Sequence, residues 1–212
     1  MNTNSLWPER PKALLLDLGT VVLDVDFRRT FRAWANTSGA PERRFFERWK
    51  TDHHYEQHEL GALTFKDYAQ HLASRFDVDM SLTAWRNGWN DVFVELLPGV
   101  LPLLESLAKR MPVYCFTNTN ATHEACWRRR YPELAVFHHI FVSSRIGRRK
   151  PAESAYHYVA DRMGFAPSDI WFLDDNRDNV EGAINAGLIT FRIRTADDVT
   201  RVLGHVLEGG KI

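Results

Sequence analysis

The chain has 212 residues, of which 44% are hydrophobic, and its 27 Lys and Arg residues balance its 27 Asp and Glu residues. A net charge of zero excludes attraction of the whole molecule to nucleic acid or to an anionic membrane. No apolar run approaches the ~20 residues that cross a bilayer, and the N-terminal stretch lacks the apolar segment of a secretion signal. Cys115 and Cys126 are too few for a disulfide framework. We expect a cytoplasmic globular protein, monomeric or homodimeric, without nucleic-acid or membrane partners.

The first predicted element is a buried strand over residues 14–16 that ends at Asp17 and is followed by a Gly19-Thr20 turn. Such a strand places its terminal carboxylate at the carboxyl edge of a sheet, where open α/β sheets bind ligands. Asp17 is therefore the strongest candidate in the chain for a nucleophile or metal ligand. The alternative is that Asp17 only hydrogen-bonds the following turn.

Residues 27–95 form a contrasting segment, rich in aromatic and charged residues at helical spacing and poor in β-branched runs. We predict an all-helical cap subdomain there, inserted into a core made of residues 1–26 and 96–212. Most of its tryptophans fit the interior of the cap, and Trp89 is a candidate pocket wall. Its histidine-rich stretch, 53–58, is typical of an exposed polar helix face. A zinc site is an alternative there, because His54 and His58 would lie on the same face of a helix.

After residue 98, short apolar runs alternate with amphipathic segments. The strand candidates are residues 111–116, 139–142, 170–173 and 188–193, and the helix candidates are residues 99–110, 120–130, 152–163, 177–186 and 196–207. Alternating strands and helices predict right-handed βαβ units. The expected fold class is α/β, a doubly wound, Rossmann-like parallel sheet.

Polar side chains follow the second and third core strands. Thr117 is a candidate ligand for a phosphate oxygen, while Asn120 fits the N-cap of the next helix. Arg148 and Arg149 fit a solvated loop. Lys150 differs from them, because Pro151 suits the first turn of the following helix and would fix the lysine at the start of that helix, where its ammonium can neutralise a phosphate.

Asp174 and Asp175 end the strand Ile170–Leu173 and are followed by Asn179. Two adjacent carboxylates at a buried strand end repel each other unless a cation neutralises them. Ligands made only of oxygen favour Mg²⁺ over zinc. The alternative is a solvated loop in which Asp175 or Asn176 caps a helix.

This order of Asp, Thr, Lys and Asp-Asp at successive strand ends resembles that of the haloacid dehalogenase-like hydrolases over essentially the whole chain. The similarity is greatest to the helical-cap branch of sugar-phosphate phosphatases, in particular the bacterial α-D-glucose-1-phosphate phosphatase group. The segments that carry the resemblance are DLGTVVLDVDF at 17–27, RNGW at 86–89, FTNTN at 116–120, RRKP at 148–151 and FLDDNRDNVEGA at 172–183.

The resemblance implies Mg²⁺-dependent hydrolysis of a small phosphomonoester, such as glucose 1-phosphate. Asp17 would carry an aspartyl-phosphate intermediate, and Thr117 and Asn118 would bind the transferring phosphoryl oxygens. Lys150 would neutralise both the phosphate and Asp17. Mg²⁺ would be held by Asp17, by the Gly19 carbonyl and by the carboxylates of the fourth motif, Asp175 first and Asp174 second. Asn179 would orient the neighbouring loop, and Asp24 would act at the junction of core and cap.

One position departs from the family pattern. Most phosphatases of this superfamily carry a second Asp two residues after the nucleophile, which protonates the leaving oxygen, and here that residue is Gly19. Thr20 then stands where the family usually has Gly. Three explanations follow: the leaving group needs little protonation, a cap residue in 53–58 replaces the acid, or the protein is slow or catalytically idle. The further alternatives are a metal-independent haloacid dehalogenase and a non-catalytic protein that binds a phosphometabolite or a partner.

Overall fold

The computed structural model describes residues 7–209, so the outermost ends of the predicted core, 1–6 and 210–212, lie outside the described residues. The strands, in chain order, are β1 (Ala13–Leu16), β2 (Leu23–Val25), β3 (Phe93–Leu96), β4 (Val113–Thr117), β5 (His139–Val142), β6 (Ile170–Asp174) and β7 (Ile189–Arg192). Five of them form one parallel sheet in the order β5-β4-β1-β6-β7. The predicted parallel α/β fold is confirmed.

Eleven helices accompany these strands within residues 7–209. They are α1 (Phe27–Ser38), α2 (Glu42–Arg48), α3 (His53–Glu59), α4 (Phe65–Phe76), α5 (Leu82–Asn90), α6 (Val100–Ala108), α7 (Ala121–Arg130), α8 (Ser143–Ile146), α9 (Glu153–Met163), α10 (Arg177–Asn185) and α11 (Ala196–Glu208). Two short 3₁₀ helices, Pro132–Val136 and Pro167–Asp169, precede β5 and β6.

The central strand β1 explains the layered architecture. It is completely buried and lies between β4 and β6, so both of its faces need apolar cover. Because side chains alternate along a strand, Leu14 and Leu16 pack with residues of α6, α7 and α11, whereas Ala13 and Leu15 pack with residues of α9 and α10. Helices therefore cover both faces, as a doubly wound sheet requires.

Helices α1 to α5 surround a separate aromatic cluster. Trp34, Trp85 and Trp89 are all buried in it, and the rings of Trp34 and Trp89 stack at 6.0 Å. Trp89 also stacks on His123 of α7 at 4.5 Å. The prediction that Trp89 forms a pocket wall is wrong, because the ring is enclosed between the helical segment and α7.

An antiparallel ribbon joins the helical segment to the sheet, and the sequence did not predict it. Strands β2 and β3 pair through Leu23 with Leu96 and Val25 with Phe93. Each strand is only three or four residues long, too short for its periodicity to be recognised. The chain therefore enters and leaves the helical segment through one paired element. Within residues 7–209, no helix is long and apolar enough to cross a membrane.

Candidate active site

Three neighbouring strands end at the candidate site. β4, β1 and β6 lie side by side, and Thr117, Asp17 and Asp174 stand at or just after their carboxyl ends. The backbone N–H of Asp17 donates to the carbonyl of Leu173 at 2.8 Å, which fixes the end of β1 beside the end of β6. Residues that are far apart in sequence thus meet at one sheet edge.

Lys150 is the cation of this cluster. Its Nζ lies 2.9 Å from Oδ1 of Asp17 and 2.6 Å from Oδ2 of Asp174, and its side chain is 1% exposed. Burial alone lowers the pKa of Lys150, but the two carboxylates outweigh it and raise that pKa, so the ammonium stays charged. Burial raises the pKa of Asp17 to about 7, against the opposing effect of Lys150.

Asp174 is fully buried and its oxygens are already hydrogen-bonded. The backbone N–H of Asn176 donates to Oδ1 at 2.8 Å, and Nδ2 of Asn179 lies 3.1 Å from both oxygens. Asp175 is only partly buried. Burial raises the pKa of Asp175, and the neighbouring Asp174 adds to that effect. Of these two carboxylates, Asp174 is paired with Lys150, which leaves Asp175 as the better candidate for a cation.

Asp17, Asp174 and Asp175 could hold a metal ion, because each offers an oxygen within 4.8 Å of the others. Their all-oxygen donor set fits a hard divalent ion such as Mg²⁺. A bound dication would also offset the burial and mutual repulsion that raise the pKa of Asp17 and Asp175. The residues present therefore fit the predicted ion, and which of them bind it directly stays a prediction.

The loop that carries Lys150 is held by Asn118. The Asn118 side chain accepts a hydrogen bond from the Lys150 N–H at 2.9 Å and donates to the Lys150 carbonyl, also at 2.9 Å. Its amide therefore positions the lysine, while its predicted contact with a phosphoryl oxygen stays a prediction. Pro151 follows a cis peptide bond and precedes α9, whose N-cap is Ala152. The expected place of Pro151 in the first helical turn is wrong, and Lys150 is fixed by Asn118 instead.

Thr117 is 4% exposed and lines the cavity at Asp17, in keeping with its predicted role as a phosphate ligand. Asn120 caps α7 by accepting from the N–H of His123, as predicted. Asp24 lies in β2, away from the two cavities that open at Asp17. Its predicted role at the junction stays a prediction.

Arg149 links the helical segment to the core. Its guanidinium lies 3.0 Å from Glu56 and 2.9 Å from Glu59, both on α3. The expectation of a solvated loop is wrong for this residue, because the partner carboxylates come from 90 or more positions earlier in the chain. The acidic pair at i, i+3 on a predicted helix was the only sequence signal for this contact. For Arg148, the guanidinium lies 5.1 Å above the ring of Tyr158.

The turn after Asp17 is tight. Thr20 adopts a φ of +62°, a left-handed conformation that strains a β-branched residue. A Cβ added at Gly19 would meet only the side chain of Val25, at 3.6 Å. A Cβ at position 19 would therefore fit in ordinary van der Waals contact.

The histidine-rich stretch divides between two environments. His58 is 3% exposed, hydrogen-bonds the Leu63 carbonyl through Nδ1 at 3.0 Å and stacks on Tyr68, so the prediction of an exposed face fails there. His54 stacks instead on His71 at 3.8 Å. Among the described residues, the group that could hold a metal near this stretch contains His54 with Asp52 and His71, not His58.

The parallel sheet, with a buried lysine between two carboxylates, defines an α/β protein whose charged residues cluster at the carboxyl edge of its sheet. Residues 11–187 match the family described as haloacid dehalogenase-like hydrolase. The chain belongs to that family of hydrolases, and the resemblance read from its motifs is confirmed at this level.

Particular relatives agree with this assignment. The chain is 21% identical over 206 residues to the D-ribitol-5-phosphate phosphatase of Bacteroides thetaiotaomicron, covering 92% of this chain and 98% of the relative. A haloacid dehalogenase family enzyme from the same bacterium, crystallised with magnesium and inorganic phosphate, gives a TM-score of 0.81 at 23% identity, covering 91% of this chain and 98% of its own. A dehalogenase structure gives a TM-score of 0.66 at 15% identity, covering 89% and 87%. Structural similarity at these identities shows a shared fold.

Proposed function

We propose that the protein is a Mg²⁺-dependent phosphatase that hydrolyses a small phosphomonoester, with a sugar phosphate such as glucose 1-phosphate as its substrate class. The observation that carries the proposal is the contact of Lys150 with both Asp17 and Asp174 inside a cavity. A carboxylate beside a fixed ammonium suits attack on a phosphorus atom whose surrounding oxygens must be neutralised. The similarity to a D-ribitol-5-phosphate phosphatase supports a small phosphomonoester as the substrate.

In this proposal Asp17 attacks phosphorus and forms an aspartyl-phosphate, which water then hydrolyses. Lys150 neutralises the phosphoryl oxygens, while Asn118 and Asp174 hold it in place. Thr117 donates its hydroxyl to a phosphoryl oxygen at the end of β4. Asp17, Asp175 and the Gly19 carbonyl would hold a Mg²⁺ ion, which would supply further neutralisation of negative charge when bound.

The haloacid dehalogenase alternative shares the nucleophile but uses no metal. The Asp174-Asp175 pair favours the phosphatase. Two adjacent carboxylates at this sheet edge repel each other, and a bound cation would neutralise them.

The test is phosphate release from a panel of sugar phosphates and from 4-nitrophenyl phosphate, with Mg²⁺ and with a chelator. Wild type and Asp17→Asn are compared with Asp161→Asn, a control on the exposed face of α9. The proposal expects Mg²⁺-dependent release by wild type and the control, and none by Asp17→Asn. Halide release from haloacids without Mg²⁺ would identify a dehalogenase. Tight phosphate-ester binding without release of phosphate would identify a binding protein.

A further inference from the structure

The leaving oxygen of a phosphomonoester needs a proton when its bond to phosphorus breaks. If the chain is a phosphatase as proposed, the leaving alkoxide must be protonated as its bond to phosphorus breaks, and Gly19 offers no side chain for this. Two adjoining cavities open at Asp17 and Lys150, so a substitute donor must line one of them.

Several polar residues that line these cavities are committed to other contacts. His123 donates from Nε2 to the Trp89 carbonyl at 3.0 Å, and burial lowers its pKa to about 3, so the ring is uncharged at neutral pH and its N–H is already used. Glu56 and Glu59 are ion-paired with Arg149. Lys150 is held by two carboxylates.

Tyr55 lines both cavities, together with Asp17 and Gly19. Its position is fixed from two sides. The carboxylate of Asp52 caps α3 by accepting from the Tyr55 N–H at 2.9 Å, and the ring makes an edge contact with Trp49 at 5.5 Å. An aromatic hydroxyl held in this way is a positioned donor rather than a mobile one.

Glu59 lies one helical turn after Tyr55, on the same face of α3. Glu59 is 3% exposed, and Arg149 donates to it from Nε at 3.1 Å and from Nη2 at 2.9 Å. Burial, and secondly the charge of Glu59, raise the pKa of Tyr55 well above its usual value. The phenol therefore keeps its proton at every pH at which the enzyme would work.

We propose that Tyr55 replaces the missing acid and donates its hydroxyl proton to the leaving oxygen, with Glu59 and Arg149 as positioning residues. The bond from phosphorus to the leaving oxygen breaks as the bond to Asp17 forms, and the proton of the Tyr55 hydroxyl moves to the departing oxygen as negative charge develops on it. The guanidinium of Arg149 offsets the phenolate charge. In the second step, the water that attacks the aspartyl-phosphate returns a proton to Tyr55, so that acid and nucleophile are both restored.

The experiment compares two substrates in the full-length protein with Mg²⁺. One is glycerol phosphate, an alkyl phosphate whose leaving oxygen needs a proton, and the other is 4-nitrophenyl phosphate, whose leaving group departs without one. Tyr55→Phe is expected to lower kcat for the alkyl phosphate by about 10²-fold or more, and for 4-nitrophenyl phosphate by less than about 3-fold. Glu59→Gln is expected to give a smaller loss with the same dependence on the leaving group. Tyr68→Phe, on α4 and outside both cavities, is the matched control and is expected to affect both substrates equally.

A second variant keeps the test independent of folding. Gly19→Asp has room for its Cβ, and in the Tyr55→Phe background it is expected to restore hydrolysis of the alkyl phosphate. The inference is overturned if Tyr55→Phe slows both substrates equally, slows neither, or if wild type hydrolyses only 4-nitrophenyl phosphate. Failure of wild type on both substrates would instead contradict the proposed function itself.

Discussion

Lys150 has to neutralise two carboxylates at once. Replacement by methionine keeps an unbranched apolar side chain, one atom shorter, but leaves Asp17 and the fully buried Asp174 without a cation. Removing one member of a buried ion pair costs about 3–5 kcal/mol. We expect Lys150→Met to lower the free energy of unfolding by that order and to abolish phosphate release.

Urea denaturation and the phosphate assay together measure this effect. The matched control is Lys12→Met, because Lys12 pairs with Asp169 on the surface, where its side chain is 67% exposed. A surface pair contributes about 1 kcal/mol or less. Equal losses of stability in the two variants would contradict the assigned role of Lys150.

Thr20 offers a second test at a single position. Its φ of +62° is costly for a β-branched residue, whereas glycine adopts it freely. We expect Thr20→Gly to raise the free energy of unfolding by about 1 kcal/mol, and the melting temperature by about 2–4 °C. Asp77→Gly is the comparison, since Asp77 has a φ of +53° but asparagine and aspartate tolerate this region better. A gain at position 77 as large as that at position 20 would argue against strain at Thr20.

His123 makes the stability depend on pH. Burial lowers its pKa from 6.5 to about 3, so below pH 6.5 the unfolded chain binds a proton that the folded chain rejects. This stabilising contribution is complete above pH 6.5 and declines as the pH falls from 6.5 toward 3, with a slope of up to ~1.4 kcal/mol per pH unit. We expect His123→Gln, which does not titrate, to lose stability less steeply in that range. Urea denaturation at pH 7 and pH 5 measures this difference. An equal loss of unfolding free energy between the two pH values in both proteins would contradict the expectation.

At the scale of elements, the sequence identified the parts that depend on local periodicity. The strands at 139–142 and 170–174 and the helices at 121–130 and 153–163 lie within two residues of their predicted bounds, because apolar runs and caps such as Asn120 mark them. The β2-β3 ribbon was not predicted, because strands of three and four residues are too short to show an alternation of apolar and polar residues. The contacts of Arg149 with α3 were not predicted either, because only the fold brings residues some 90 positions apart into contact.

Gly61, in the loop after α3, lies directly against the backbone of α8 at Ser144. This glycine has a φ of +75°, and a Cβ added there would lie 2.3 Å from the Ser144 carbonyl oxygen. Gly39 has nearly the same φ, +74°, but nothing lies within 4 Å of its added Cβ. We expect Gly39→Ala to lose about 1–2 kcal/mol from backbone conformation alone. Gly61→Ala should lose more, because the loop after α3 must move away from Ser144.

That displacement should also reach the site. The loop follows α3 directly, and α3 carries Tyr55 and Glu59, so Gly61→Ala is expected to raise KM several-fold while Gly39→Ala leaves it unchanged. Urea denaturation and steady-state kinetics on both variants measure the two effects. An unchanged KM in Gly61→Ala would show that the loop does not control the position of α3.

At the scale of the whole molecule, charge is balanced overall but concentrated locally. The chain is neutral, yet Asp17, Asp174 and Asp175 converge at one sheet edge where Lys150 is the buried cation. The fold creates this imbalance, because the parallel order β4-β1-β6 brings three strand ends together. The sequence allowed the convergence to be predicted from strand ends, whereas the saturation of Asp174 by hydrogen bonds depends on side-chain geometry that no spacing encodes.

A divalent cation that binds this cluster only in the folded state must stabilise the whole protein. At a concentration 100 times its Kd, Mg²⁺ would add about 2.7 kcal/mol, which corresponds to a rise of roughly 5–10 °C in melting temperature. We expect this rise in wild type and its loss in Asp175→Asn. Asp178→Asn is the matched control, since Asp178 lines the same cavity but lies on the exposed first turn of α10, outside the carboxylate cluster. Thermal denaturation with MgCl₂, against NaCl at equal ionic strength, separates site binding from screening. A rise that persists in Asp175→Asn would assign the ion to Asp17 and Asp174 alone, although the oxygens of Asp174 already accept hydrogen bonds from Lys150, Asn176 and Asn179.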